Sequence, residues 1–153
     1  MSRLILQLKA DHVLLKHTLK SAADFTKPAP ERIGFLVQAK RALLGHLEKE
    51  NRELYPALRT AAQTDPDIND IVDVFGSDME QVAPEALEFF NKYGNPEAVA
   101  AGFLADVQNV IEFGSDLERL IILLGLRIGR EEATLYPAYE AIQARKAACA
   151  GVK

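Results

Sequence analysis

Apolar residues fall three and four positions apart along most of this chain, and that rhythm builds helices rather than strands. Ile5, Leu8, Leu15, Leu19 and Ala22 keep the rhythm, with His12 inside it. Leu36, Ala39 and Leu43 repeat it and run into His46 and Glu50; Leu117, Leu120 and Leu124 repeat it again and run into Arg127 and Glu131. A seam of this kind faces the core of a bundle. Five of its positions therefore carry polar or charged side chains where burial is expected. A buried charge is costly unless it is paired or coordinates a metal.

The seam is also duplicated. Leu43–Leu58 reads LLGHLEKENRELYPAL and Leu123–Tyr139 reads LLGLRIGREEATLYPAY. Aligned on Leu-Tyr-Pro, Glu50 meets Glu131, and His46 meets Arg127. Turn signals at Thr26–Arg32, Gln63–Asp67 and Tyr93–Glu97 divide the chain into four long segments rich in helix-forming residues. Asp65 or Thr64 before Pro66, and Asn95 before Pro96, read as N-caps with proline at the first helical position. The expected helices run over about 2–26, 30–62, 66–93 and 96–147, uncertain by about 2–4 residues at each end. Gly114 within EFGSD is expected to break or kink the last of them, Pro56 and Pro137 to kink or end theirs, and Pro84 to kink its own. Short connections then imply an all-α, antiparallel up-down four-helix bundle made of two helical hairpins. Residues 1–147 form a single domain on this reading, and 148–153 a flexible tail.

Composition narrows the function. A net charge of −4 with no long basic tract argues against nucleic acid. No apolar run approaches the roughly 20 residues of a membrane span, and the N-terminus lacks the pattern of a secretory signal. The single cysteine, Cys149, excludes a disulfide framework, so a cytoplasmic location is expected. No serine–histidine, cysteine–histidine or glycine-rich phosphate motif is present, so catalysis has no clear sequence basis.

His46 and Glu50 lie one turn apart on one helix face. Such a pair offers one cation an imidazole nitrogen and a carboxylate oxygen, and metal sites in bundle cores use inward pairs of this kind. His-x-x-x-Glu followed by Leu-Tyr-Pro, after a lone histidine on the first helix, resembles the hemerythrin-like HHE cation-binding domain over about residues 4–142. The resemblance implies a bundle in which each hairpin gives a lone histidine and a His-x-x-x-Glu pair to a di-iron centre that handles oxygen, nitric oxide or iron. His12, His46 and Glu50 match the first hairpin. In the second, only Glu131 remains, Arg127 replaces the histidine, and the lone-histidine slot falls near Glu80, with Gln81 and Glu85 beside it. With three histidines in the chain, a complete five-histidine di-iron centre is excluded.

Arginine donates hydrogen bonds but has no lone pair for a metal, while its planar fork pairs well with carboxylates. Two readings follow. One iron or other divalent ion is held by His12, His46 and Glu50, with Glu131 or Glu80, in a sensor or regulatory protein. Alternatively, Arg127 supplies the positive charge itself, and the metal-free bundle is a module that binds another protein. A third reading rests on HTLKSAADF (His17–Phe25), which resembles the phosphoacceptor segment of histidine phosphotransfer domains, with Lys20 beside the phosphoryl group.

Overall fold

In a computed structural model, residues 1–94 and 107–151 are described, and they fold into helices with no strand among the described residues. The helices are α1 (Arg3–Ala22), α2 (Ala29–Lys49), α3 (Tyr55–Ala62), α4 (Pro66–Tyr93), α5 (Val107–Arg130) and α6 (Tyr136–Ala150). A five-residue π-helical turn joins α2 to α3 at Glu50–Leu54 and α5 to α6 at Glu131–Leu135. With each π turn counted as a joint within one rod, four rods remain, consistent with a four-helix bundle.

Local chemistry sets the ends. The Ser2 hydroxyl accepts from the Ile5 N–H at 3.3 Å and caps α1. Its other end comes at Ala22 rather than near residue 26. Asp24 accepts from both the backbone N–H and the hydroxyl of Thr26, at 3.0 and 2.6 Å, and this local turn competes with further helix. Asp65 caps α4 by accepting from Asp67 and Ile68, with Pro66 in the first turn. The expected cap at Asn95 and helix start at Pro96 lie outside the described residues.

Expectations about breaks change in part. Helix α5 runs unbroken through Gly114, because Phe113 and Leu117 on either side are buried and their burial outweighs the roughly 1 kcal/mol that glycine costs a helix. Helix α4 contains Pro84 in its interior, as expected of a proline that bends a helix without ending it. Pro56 and Pro137 each sit in the first turn of a new α-helix directly after a π turn. A proline nitrogen cannot donate to the carbonyl four residues back. The chain instead widens before it, and the N–H groups of Tyr55 and Tyr136 reach back five residues to the carbonyls of Glu50 and Glu131. At the chain's other end α6 continues to Ala150, past residue 147, and carries an exposed Cys149.

Two apolar clusters fill the interior. Leu15, Leu19, Leu36, Leu43, Val82, Phe90, Leu117 and Leu124 belong to the larger one. In the smaller one, Ile5 and Leu8 pack with Leu54, Leu58, Phe75, Leu135 and Tyr136. His12, His46, Glu50, Arg127 and Glu131 fall between the two clusters along their rods, so a polar layer is sealed on both sides by apolar side chains.

Candidate metal centre

All five seam residues are buried, at 0–4% exposure. Charges so far from water must be answered by partners, and the two halves of the repeat answer differently.

His12 comes from α1, His46 from the last turn of α2, Glu50 from the start of the first π turn, and Glu131 from the start of the second. His12 Nε2 lies 2.9 Å from Glu131 Oε2. His46 Nε2 lies 2.5 Å from Glu50 Oε1 and 3.6 Å from Glu131 Oε2. The two imidazole rings are 4.7 Å apart. One ligand atom each from His12, His46 and Glu131 falls within 4.8 Å of the others, so these three residues can hold a metal ion.

Glu50 is fully buried, yet neither carboxylate oxygen has an aligned hydrogen-bond donor. The short approach of His46 Nε2 is thus a close contact between two groups that aim past one another. The two imidazoles and the Glu131 carboxylate are donors of the hard and intermediate kinds that iron, manganese and zinc accept.

The second half of the repeat carries its own cation. Arg127, 3% exposed, fills the place with its own guanidinium. Its Nε donates to Glu131 Oε1 at 2.6 Å, Nη1 to the Phe75 carbonyl and Asp78 at 3.0 and 2.8 Å, and Nη2 to the Tyr55 hydroxyl at 2.9 Å. Glu131 is therefore divided: one oxygen serves Arg127, and the other faces the histidines. The Tyr136 hydroxyl lies 3.2 Å from that second oxygen and 3.1 Å from His12 Nε2.

These contacts set the protonation states. Burial alone would depress the His46 imidazole, but the Glu131 and Glu50 carboxylates outweigh it and push its pKa up to about 10. Burial likewise works to raise Glu131, but hydrogen bonds from His12 and His46 and the Arg127 charge hold it well below the usual carboxylate range. Burial dominates at Glu50 and raises it. The Tyr55 hydroxyl is pushed up to about 12, mainly by burial, and that of Tyr136 beyond the ordinary phenol range by burial and the Glu131 charge. Both phenols stay neutral donors near neutral pH.

Glu80 is exposed and lies outside the group, as do Gln81 and Glu85; Glu85 pairs instead with Arg119 at 2.7 Å. The helix-three slot falls one residue earlier. Met79 lines the small cavity shared with His12, His46 and Glu131, in the register of α1's His12. One residue along a helix rotates a side chain by about 100°, which takes Glu80 off the seam. Asp78, which holds Arg127, precedes Met79 as Asp11 precedes His12. Matching the seam Ile5-Leu8-His12-Leu15 to Val72-Phe75-Met79-Val82 would have found both residues. His17 and Lys20 are exposed away from this layer, and the His17 ring stands edge-on to Phe35.

The family model described as the hemerythrin HHE cation-binding domain matches residues 3–139. The chain belongs to that family. Neither a curated protein nor a solved structure matches it. As a hemerythrin HHE domain it is a cation-binding domain, and the His12–His46–Glu131 group is where its described residues can hold the cation. None of its described helices is long and apolar enough to cross a membrane.

Proposed function

We propose that this chain is a hemerythrin-like domain with an incomplete di-iron site, binding one iron or other divalent ion at His12, His46, Glu50 and Glu131. It acts as a cytoplasmic sensor or regulatory protein rather than as an enzyme. One observation carries the reading: the Glu50 carboxylate is fully buried without an aligned hydrogen-bond donor, and it lies beside His46 Nε2, which also stands 3.6 Å from the Glu131 oxygen that faces the histidines. A bound ion would neutralise it and supply Lewis acidity, with a redox couple if the metal is iron. Arg127 already neutralises the other half, which limits the site to one ion. The ligands come from three rods, so gain or loss of the ion changes how those rods are tied together, as a regulatory switch requires.

The architecture behind this is a single domain over residues 1–147, an antiparallel bundle of two hairpins. Its support is the order in which the rods meet the two apolar clusters. The first and third rods run from the smaller cluster to the larger, and the second and fourth run from the larger to the smaller.

A metal-free interaction module is the second reading, favoured by the four bonded partners of Arg127. Cobalt(II) titration separates the two. The cation reading predicts visible ligand-field bands that saturate at about one ion per chain and vanish in His46→Ala. A featureless spectrum at saturating cobalt favours the module.

A further inference from the structure

The two site histidines present Nε2 to the cavity, and their Nδ1 atoms meet carboxylates from other rods. His46 Nδ1 stands 3.5 Å from Asp11 Oδ2, and His12 Nδ1 stands 3.4 Å from Glu132 Oε1. Both Nδ1 atoms are buried, and neither has a hydrogen-bond partner within bonding geometry. Asp11 is fixed from its other side by Lys49 Nζ, at 2.8 and 3.1 Å from its two oxygens. Lys49 belongs to the same helix as His46, three residues on, and Asp11 to the same helix as His12.

We infer that Asp11 and Lys49 are a positioning pair for the cation site, holding the His46 ring so that Nε2 faces Glu50 and Glu131. Glu132 does the same for His12 more loosely. The inference rests on the cation reading above. A metal-bound histidine is ordinarily oriented by an acceptor at its other ring nitrogen, which also strengthens it as a ligand. The 3.5 Å separation is longer than an ordinary hydrogen bond but within ion-pair reach, so the carboxylate covers Nδ1 and sets the ring's orientation before any ion binds. Exposure ranks the two acids: the Asp11 side chain is 19% exposed and clamped, while that of Glu132 is 35% exposed and has no such clamp.

The second hairpin repeats the device on a different residue. Asp78, at Asp11's register, contacts Arg127, which stands at His46's register, at 2.8 Å. Arg130, at Lys49's register, reaches the other oxygen of Asp78 at 3.2 Å. An acid backed by a base thus braces the seam residue in both halves, although one half presents an imidazole and the other a guanidinium. A salt bridge that merely tied two helices together would not need to touch the seam residue in either half.

The test uses the full chain labelled with nitrogen-15 at histidine, with zinc(II) as the probe, and compares wild type, Asp11→Ala, Asp11→Asn and Lys49→Met. In the metal-free wild type, the His46 Nδ1–H gives a resonance protected from solvent exchange. Asp11→Ala loses that protection, and Asp11→Asn, which still offers an acceptor oxygen, keeps it. Zinc affinity falls roughly ten- to hundredfold in Asp11→Ala, less in Lys49→Met, and stays close to wild type in Asp11→Asn. An unchanged His46 resonance and unchanged zinc affinity in both Asp11→Ala and Lys49→Met overturn the inference. If wild type takes up no zinc, the cation reading fails by itself, and the metal-free resonance still decides whether Asp11 positions His46.

Discussion

Arg127→Ala is the substitution that most directly probes how the second hairpin holds its charges. The guanidinium is 3% exposed and makes bonds to Glu131, Asp78, Tyr55 and the Phe75 carbonyl. Its removal strands Glu131 Oε1 and the Tyr55 hydroxyl in a layer sealed by apolar clusters, while the Phe75 carbonyl keeps its bond within helix α4. Each stranded neutral group costs about 1–3 kcal/mol. Removing one partner of a buried ion pair costs about 3–5 kcal/mol in all, since water entering the vacated space offsets part of the sum. The lower figure suits this site, because Glu131 keeps His12 and Tyr136 on its other oxygen and Asp78 keeps Arg130. In a chain of this length each kcal/mol moves Tm by roughly 2–4 °C, so a fall of about 6–12 °C is expected. Urea unfolding at neutral pH with a chelator present, followed by circular dichroism, measures the change. A loss under about 1 kcal/mol would show that Arg127 behaves as a solvated surface charge, and the account of the second hairpin would fall with it.

Three further outcomes follow from the same layer. Replacing Arg127 and Met79 together by histidine restores the ligand pattern of the first hairpin, and cation stoichiometry should rise from about one to about two per chain; an unchanged ratio from native mass spectrometry rejects the matched registers. The His46 pKa is raised to about 10, above the roughly 6.5 of an unfolded histidine. Its contribution to the metal-free fold is therefore complete below about 6.5 and lost as pH climbs to about 10, so stability in chelator should decline across that window; a flat profile contradicts the ion pairs. Tyr136→Phe removes the hydroxyl that meets Glu131 and His12, and should cost about 1–2 kcal/mol in thermal unfolding; a neutral effect means that hydroxyl carries no bond of consequence.

Much of this is legible in the sequence. Periodicity alone marks His12, His46, Glu50, Arg127 and Glu131 as seam residues, because a 3-4 rhythm fixes which face turns inward regardless of what occupies it. The Leu-Tyr-Pro repeat marks where two rods change course. It does not say how, since proline only removes a hydrogen bond; whether the helix kinks, stops or widens into a π turn depends on what packs around it. Packing also overrides the local signal at Gly114. Matching by chemistry favours a carboxylate and so puts the slot opposite His12 at Glu80, one residue off. Matching by register favours Met79, which has no charge to draw attention. The bracing acids Asp11 and Asp78 fall in the same blind spot: they flank the seam, and only the folded contacts separate them from ordinary surface charges.

On the proposed function, one cation completes the first half of the polar layer while Arg127 completes the second. The most direct test is the metal-to-protein ratio, by plasma mass spectrometry, of wild type and His46→Ala purified from iron-supplemented cells. The account predicts about one metal ion per wild-type chain and a loss of most of it in His46→Ala. Negligible metal in wild type, or a ratio near two, would contradict it.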